Sequence, residues 1–132
     1  MPEEYRIDAV MTPCPHTINA AVSLNDALQV MSIRKLRHLP VVSDGELVGV
    51  LCEREVKALS TISENLRTAL KAGDFCDRNP YIVQADIPLS KVAYDMSLGK
   101  QDYALITDGE GHFLGIFTTT DACRAIHMIL GK

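Results

Sequence analysis

Residues 22–32 read VSLNDALQVMS, and residues 87–97, which lie 65 positions later, read IPLSKVAYDMS. The apolar positions have the same helical spacing in both stretches: 24, 27, 28 and 31 in the first, and 89, 92, 93 and 96 in the second. Such spacing is typical of an amphipathic helix that buries one stripe. Ser23, three residues before Asp26, predicts the N-cap of the first helix. An internal repeat therefore decides the fold of this chain.

Two β-prone runs and a second helix follow each of these helices. The runs lie at residues 38–42 and 47–51 in the first copy and at residues 103–107 and 113–117 in the second. Asp44-Gly45 and Asp108-Gly109 separate the runs and predict hairpin turns. The closing helices are expected from Glu53 to about Ser60 and from about Thr120 to Leu130. Each copy thus reads strand–helix–strand–strand–helix.

The domain boundaries follow from the repeat. We predict a first repeat with an N-terminal segment at residues 1–62, a connecting helix at 63–74 and a second repeat at 75–132. Ser63 would cap the connecting helix and Gly73 would end it.

Composition excludes several classes of protein. The 132 residues carry 13 Lys and Arg against 17 Asp and Glu, a net charge of −4 that argues against general nucleic-acid binding. No apolar run approaches the roughly 18 residues of a membrane span, and the N-terminus lacks the pattern of a signal peptide. We therefore expect a soluble, cytoplasmic protein with no membrane or nucleic-acid partner. The four cysteines are widely spaced, which predicts reduced, mostly buried thiols and no zinc site.

Several short motifs resemble the CBS domain (cystathionine β-synthase type). Residues 10–13 (VMTP), 37–42 (RHLPVV) and 49–55 (GVLCERE) resemble one copy, and residues 115–121 (GIFTTTD) resemble part of a second. The resemblance spans about residues 7 to 130. It implies an α/β (α+β) fold of two tandem β-α-β-β-α repeats related by pseudo-twofold symmetry. It also implies dimerisation, adenosine-nucleotide binding in clefts between the repeats, and regulation of a partner protein.

The stronger candidate site lies in the second copy. Residues 115–121 end a strand and open a helix, where unpaired N–H groups and the helix dipole favour a phosphate. The resemblance assigns Thr118, Thr120 and Asp121 to the sugar and phosphate of a nucleotide, and the Asp121 carboxylate could accept both ribose hydroxyls. The same residues could also cap the last helix, and the two interpretations are compatible.

The first copy departs from this motif. Cys52 and Arg54 stand where hydroxyl residues are expected, and Glu55 stands where the motif has Asp, so this half-site is degraded. Arg37 and His38, in contrast, favour phosphate binding by the first copy, because an arginine offers a phosphate a forked set of donors. The alternative for Arg37 is a solvated cation near a helix end.

Four further residues belong to the candidate ligand site. In the second copy, Asp102 stands at the position of Arg37 and Tyr103 at the position of His38. The Asp102 carboxylate would repel a phosphate. The resemblance places three others beside the adenine, through backbone groups and apolar contact: His16, Ile18 and Leu36.

Two function classes remain. The first is a stand-alone regulatory module that binds AMP, ADP or ATP, needs no cofactor and signals through a change of conformation or oligomeric state. The second is a structural dimerisation or interaction module with empty clefts. We do not expect an enzyme, because the sequence has no nucleophile–base constellation and no Walker-type loop. The apolar stripes at residues 24–36 and 89–97 predict a homodimer.

Overall fold

The computed structural model of the chain describes residues 5–13, 16–59 and 61–131. Its elements confirm the predicted α+β fold with two β-α-β-β-α repeats. The strands are β1 (Thr12–Pro13), β2 (Ile18–Asn19), β3 (His38–Ser43), β4 (Glu46–Cys52), β5 (Ile82–Gln84), β6 (Tyr103–Thr107) and β7 (Phe113–Thr118). The helices are α1 (Leu24–Arg34), α2 (Glu53–Leu59), α3 (Glu64–Ala69), α4 (Ala72–Phe75), α5 (Leu89–Gly99) and α6 (Thr119–Leu130).

The described residues pack into two units. We call residues 16–59 and 61–80 the central unit, and residues 5–13 and 81–131 the terminal unit. These packing units do not coincide with the predicted boundaries at residues 1–62 and 75–132, because the N-terminal segment packs with the second repeat.

The central unit contains a three-stranded sheet in the order β2-β3-β4. Strand β2 runs parallel to β3, and β3 runs antiparallel to β4. Asp44 and Gly45 both have positive φ angles, 52° and 79°, so the predicted turn joins β3 to β4. The buried core of this unit includes Ala27 and Met31 of α1 and Leu39 and Val41 of β3.

The terminal unit contains a four-stranded sheet in the order β1-β7-β6-β5. Strand β5 runs parallel to β6, whereas β6 and β7, and β1 and β7, are antiparallel. Its core is built from α5, α6 and the sheet, and includes Val92, Met96, Phe117 and Ala125.

Each repeat's last strand pairs with the segment that precedes the other repeat. Thr12 of β1 lies opposite Ile116 of β7, and Asp77 forms a β-bridge with Val50 of β4. A glycine permits each close approach. A Cβ atom at Gly115 would lie 2.6 Å from the carbonyl oxygen of Thr12, and one at Gly49 would lie 2.3 Å from that of Asp77. This exchange explains why residues 5–13 belong to the terminal unit.

The predicted connecting helix at residues 63–74 is not one helix. Ser63 caps α3 as expected, by accepting a hydrogen bond from the backbone N–H of Leu66. Leu70 and Lys71 are then extended, because their segment pairs with the entry to α1: the N–H of Leu24 donates to the carbonyl of Leu70 at 2.7 Å. The expectation for Gly73 is also wrong, since it lies buried within α4, where a Cβ atom would come 2.8 Å from the Cβ of Ala20.

The buried faces of the helices match the predicted stripes only in part. Ser23 caps α1, and Met31 and Met96 are buried. Ala93, however, is exposed, so the apolar stripe of α5 extends beyond the core of the unit. Among the described helices, none has the length and apolar character that crossing a membrane requires.

The described cysteines differ in exposure. Cys76 is buried, Cys52 is half-buried and Cys123 is exposed. Only one of these three cysteines is buried, so the expectation that most cysteines are buried is wrong for the described ones. Cys14 lies outside the described residues.

Candidate functional site

The junction between β7 and α6 forms a capping box. Thr118 is extended (φ −117°, ψ 176°) and is the N-cap of α6. Its Oγ1 atom accepts a hydrogen bond from the N–H of Asp121 at 3.4 Å, and the Oδ2 atom of Asp121 accepts one from the N–H of Thr118 at 2.9 Å. These reciprocal bonds satisfy two N–H groups at the start of the helix. The interpretation that these residues cap the last helix is confirmed.

The Asp121 carboxylate lies at the centre of the junction. Its side chain is only 3% exposed. Oδ2 also accepts a bond from the Thr118 hydroxyl at 3.2 Å. Oδ1 accepts two bonds, from the Thr12 hydroxyl at 2.8 Å and from Nη1 of Arg124 at 2.7 Å. A carboxylate offers about four acceptor positions, and here the chain itself fills them. A ribose hydroxyl can therefore bind Asp121 only by replacing one of these donors.

The charge of this buried carboxylate is compensated in two ways. Arg124 supplies a cation, and the first turn of α6 supplies the positive end of a helix dipole. Without such partners, burial of a carboxylate is strongly unfavourable. Thr120 lies exposed on the same turn, so the junction presents a hydroxyl to solvent, while the N–H of Thr119 donates to the carbonyl of Asp102 at 3.3 Å.

Tyr103 lies beside this junction. It is the cross-strand partner of Thr118 in the β6–β7 ladder and is itself buried. Its phenolic oxygen accepts a hydrogen bond from the N–H of Tyr81 at 3.4 Å, so its polar end is directed towards β5. The structure thus brings Thr118, Thr120, Asp121 and Tyr103 together in the terminal unit.

The corresponding junction of the central unit is different. Cys52 lies opposite His38, as Thr118 lies opposite Tyr103, but Glu55 is exposed. The first copy therefore lacks the buried carboxylate of the second, in agreement with its degraded motif.

Arg37 and Leu36 line a groove in the central unit. The groove has a volume of about 890 Å³ and lies between α1, α2 and α3. Arg37 is exposed, and its Nε atom lies 4.0 Å from Oε2 of Glu53, at the start of α2. Ion pairs between exposed side chains contribute little to stability. Arg37 thus remains available to a ligand.

The remaining candidates also lie in the central unit. His16 is exposed, with Nε2 3.3 Å from Nη1 of Arg34. Ile18 is buried in the core next to β3, and His38 is buried at the start of β3. The nine candidate residues therefore fall into two groups, four in the terminal unit and five in the central unit.

The sequence pattern predicts no role for Thr12 or Arg124. Thr12 belongs to the motif at residues 10–13, which supported the resemblance. Arg124 lies three residues after Asp121, a spacing that places two side chains together on a helix. That spacing was the available signal for Arg124, whereas the contact of Thr12 is 109 residues away in sequence.

Comparison with known proteins identifies two matching segments. Residues 7–60 and 72–128 match the family model of the CBS domain. The chain is also 28% identical over 112 residues to a homoserine O-acetyltransferase of Methanohalobium evestigatum, in a match that covers 83% of this chain and 22% of that protein. The chain therefore spans less than a quarter of the length of that relative.

Two solved structures are similar over nearly their whole length. One is CBSX2 of Arabidopsis thaliana in complex with AMP, with 28% identity, a TM-score of 0.83, and coverage of 95% of this chain and 98% of that chain. The other is the CBS domain pair of protein MJ0100 in complex with 5′-methylthioadenosine and S-adenosyl-L-methionine. It has 22% identity, a TM-score of 0.79, and coverage of 94% and 97%.

Proposed function

The chain belongs to the CBS domain family, with two copies of the domain, and we propose that it is a regulatory module that binds an adenosine nucleotide. The nucleotide is AMP, ADP or ATP, and no other cofactor is required. Binding changes the conformation or oligomeric state of a homodimer, and that change is read by a protein partner. The activity of the acetyltransferase relative is not part of this proposal, since the shared segment is a small part of that enzyme.

The observation that carries this proposal is the buried Asp121 carboxylate at the start of α6. It combines an anionic acceptor for ribose hydroxyls with the N–H groups and hydroxyls of a helix N-terminus. In the proposed complex, Asp121 binds the ribose, and Thr118 and Thr120 bind the sugar and the phosphate. Tyr103 lines the same site. The similarity to a CBS pair that was solved with AMP supports the choice of ligand.

The candidates of the central unit are a separate part of the proposal. We assign His16, Ile18 and Leu36 to the adenine and Arg37 and His38 to phosphate. The exposure of Arg37 beside the groove supports a phosphate contact.

Two observations favour a second function. The acceptor positions of Asp121 are filled by the chain's own donors, and Glu55 is exposed in the first copy. Both features also fit a structural dimerisation module whose sites bind nothing.

Calorimetric titration of AMP, ADP, ATP and adenosine separates the two functions. The wild-type chain should bind at least one phosphorylated ligand, and Asp121→Asn should weaken that binding by roughly ten- to a hundredfold, because a charged hydrogen-bonding partner is lost. Glu55→Gln is the matched control, since Glu55 occupies the corresponding position of the first copy and is exposed. No binding by the wild-type chain would favour the structural module, and equal losses in both variants would argue against the Asp121 site.

The variant Arg37→Ala tests whether Arg37 of the central unit binds the phosphate. If Arg37 binds phosphate, this variant should lose more affinity for ATP and ADP than for adenosine. Unchanged binding of all three ligands would identify Arg37 as a solvated charge paired with Glu53.

A further inference from the structure

Arg124 occupies an acceptor position of Asp121 that the proposed ligand needs. Its Nη1 atom donates to Oδ1 at 2.7 Å, and the guanidinium is the cation paired with this buried carboxylate. We infer that Arg124 is a specificity-determining residue that exchanges partners: a ribose hydroxyl replaces it on Asp121 while its guanidinium moves to the nucleotide phosphate. This inference rests on the proposed function and adds a preference for phosphorylated nucleosides.

The position of Arg124 on α6 makes the exchange possible. Helical side chains point towards the N-terminus of their helix, over the preceding turn. The contact with Asp121 shows that the guanidinium of Arg124 reaches back to the first turn. A phosphate bound at the N-terminus of α6 would lie in the same region, so the side chain can change partner by rotating about its own bonds.

The way each donor is held distinguishes Arg124 from the other donors to Asp121. The Arg124 side chain is 61% exposed, whereas Asp121 is 3% exposed. Thr118 is held by the capping box, and Thr12 is held by the pairing of β1 with β7. Displacing either threonine would disturb an element of the fold. Displacing Arg124 breaks one part-buried side-chain bond and disturbs no element of the fold, which makes it the donor that a ligand replaces most easily.

The exchange predicts a difference between ligands with and without a phosphate. With AMP, the lost bond between Arg124 and Asp121 is replaced by one between Arg124 and the phosphate, which is also charge-assisted and has a forked geometry. Adenosine breaks the same bond but offers the guanidinium no anion in return. Arg124 therefore disfavours the nucleoside and favours the nucleotide.

The ratio of AMP affinity to adenosine affinity tests this inference. Calorimetry on the wild-type chain should show AMP bound at least about tenfold more tightly than adenosine. In Arg124→Met, which keeps a long side chain without donors, AMP should weaken and adenosine should not, so that the ratio falls to about threefold or less. Arg6→Met is the matched control, because Arg6 is an equally exposed, ion-paired arginine of the same unit, and its ratio should stay at the wild-type value.

Arg124→Lys gives a second measurement in a variant that keeps the cation beside Asp121. An ammonium group lacks the forked donors of arginine, so the ratio should lie between the wild-type and Arg124→Met values. A wild-type ratio in Arg124→Met, or equal losses of AMP and adenosine, would overturn the exchange and leave Arg124 a structural partner of Asp121. Failure of the wild-type chain to bind either ligand would instead overturn the proposed function, and the exchange with it.

Discussion

At the residue scale, Asp121 and Asp108 show how position determines what a carboxylate does. Asp121 is buried and accepts one of its bonds from Thr12, 109 positions away in sequence. Asp108 is partly exposed and bonded within its own turn between β6 and β7. Its Oδ1 atom accepts bonds from the N–H groups of Glu110 at 2.8 Å and His112 at 2.9 Å, and Oδ2 lies 2.9 Å from Nδ1 of His112. Asp108 therefore shapes a turn, whereas Asp121 joins β1, β7 and α6.

The hydrogen bonds of Asp108 predict a dependence of stability on pH. The bond from the backbone N–H of His112, followed by the bonds from the His112 side chain and the Glu110 N–H, lowers the pKa of Asp108 below its ordinary range. A lowered folded-state pKa means that this group stabilises the fold above its unfolded pKa, and that the stabilisation is lost as pH falls through the folded value.

Asp108→Ala should therefore lower the urea midpoint at pH 5, where the carboxyl group is ionised in both the folded and the unfolded chain. The difference from the wild-type chain should shrink as the pH falls below about 4, where the free carboxyl group becomes protonated. Urea unfolding followed by circular dichroism at each pH measures this difference. A constant difference across the whole pH range would contradict the assignment.

At the element scale, the pairing of β1 with β7 positions a donor to Asp121. Strand β1 is only two residues long, yet it places the Thr12 hydroxyl on Oδ1 of Asp121. Gly115 makes this possible, since a Cβ atom there would lie 2.6 Å from the Thr12 carbonyl oxygen and 2.7 Å from Sδ of Met11. The glycine that begins the motif at residues 115–121 is thus required by the strand beside it.

Gly115→Ala should push β1 away from β7 and destabilise the chain by about 1–3 kcal/mol, as overpacking typically does. Gly109→Ala is the control, because Gly109 has no neighbour within 4 Å of an added Cβ atom. Urea midpoints measure both effects. If the two variants were equally stable, the close contact with β1 would not be what requires glycine at residue 115.

At the scale of the whole molecule, exposed apolar side chains on the helices favour association with a partner. Ile33 on α1 is 79% exposed and Tyr94 on α5 is 63% exposed, and both lie in the stretches whose repeated stripe predicted a dimer. Burial of apolar side chains of this size against a second surface lowers the free energy, because it removes them from water.

Sedimentation at micromolar concentration should therefore give about twice the chain mass of 14.5 kDa. Ile33→Glu or Tyr94→Glu should shift the chain towards monomer, because either change places a charge in the interface. Leu66→Glu, at an exposed leucine of α3, should not. A wild-type monomer, or a dimer that tolerates both substitutions, would contradict the proposed homodimer.

The helices, turns and caps could be predicted because their signals are local. Ser23 and Ser63 cap helices through bonds that span three residues, and Asp44 and Gly45 form a turn through their own φ angles. The family resemblance and the fold are confirmed for the same reason: both rest on short motifs repeated in register. The Thr118–Asp121 cap belongs to this class.

The sequence alone therefore determined the two repeats, the order of their elements and the position of the candidate site. Tertiary structure decided which donors surround Asp121, why the segment at residues 63–74 is divided, and which unit holds residues 5–13. The physical reason is the separation of the contacts in sequence. Thr12 meets Asp121 across 109 residues, and Leu70 accepts a bond from Leu24. No helical period or turn motif encodes such pairings, because they depend on which strand edge the folded sheets leave available.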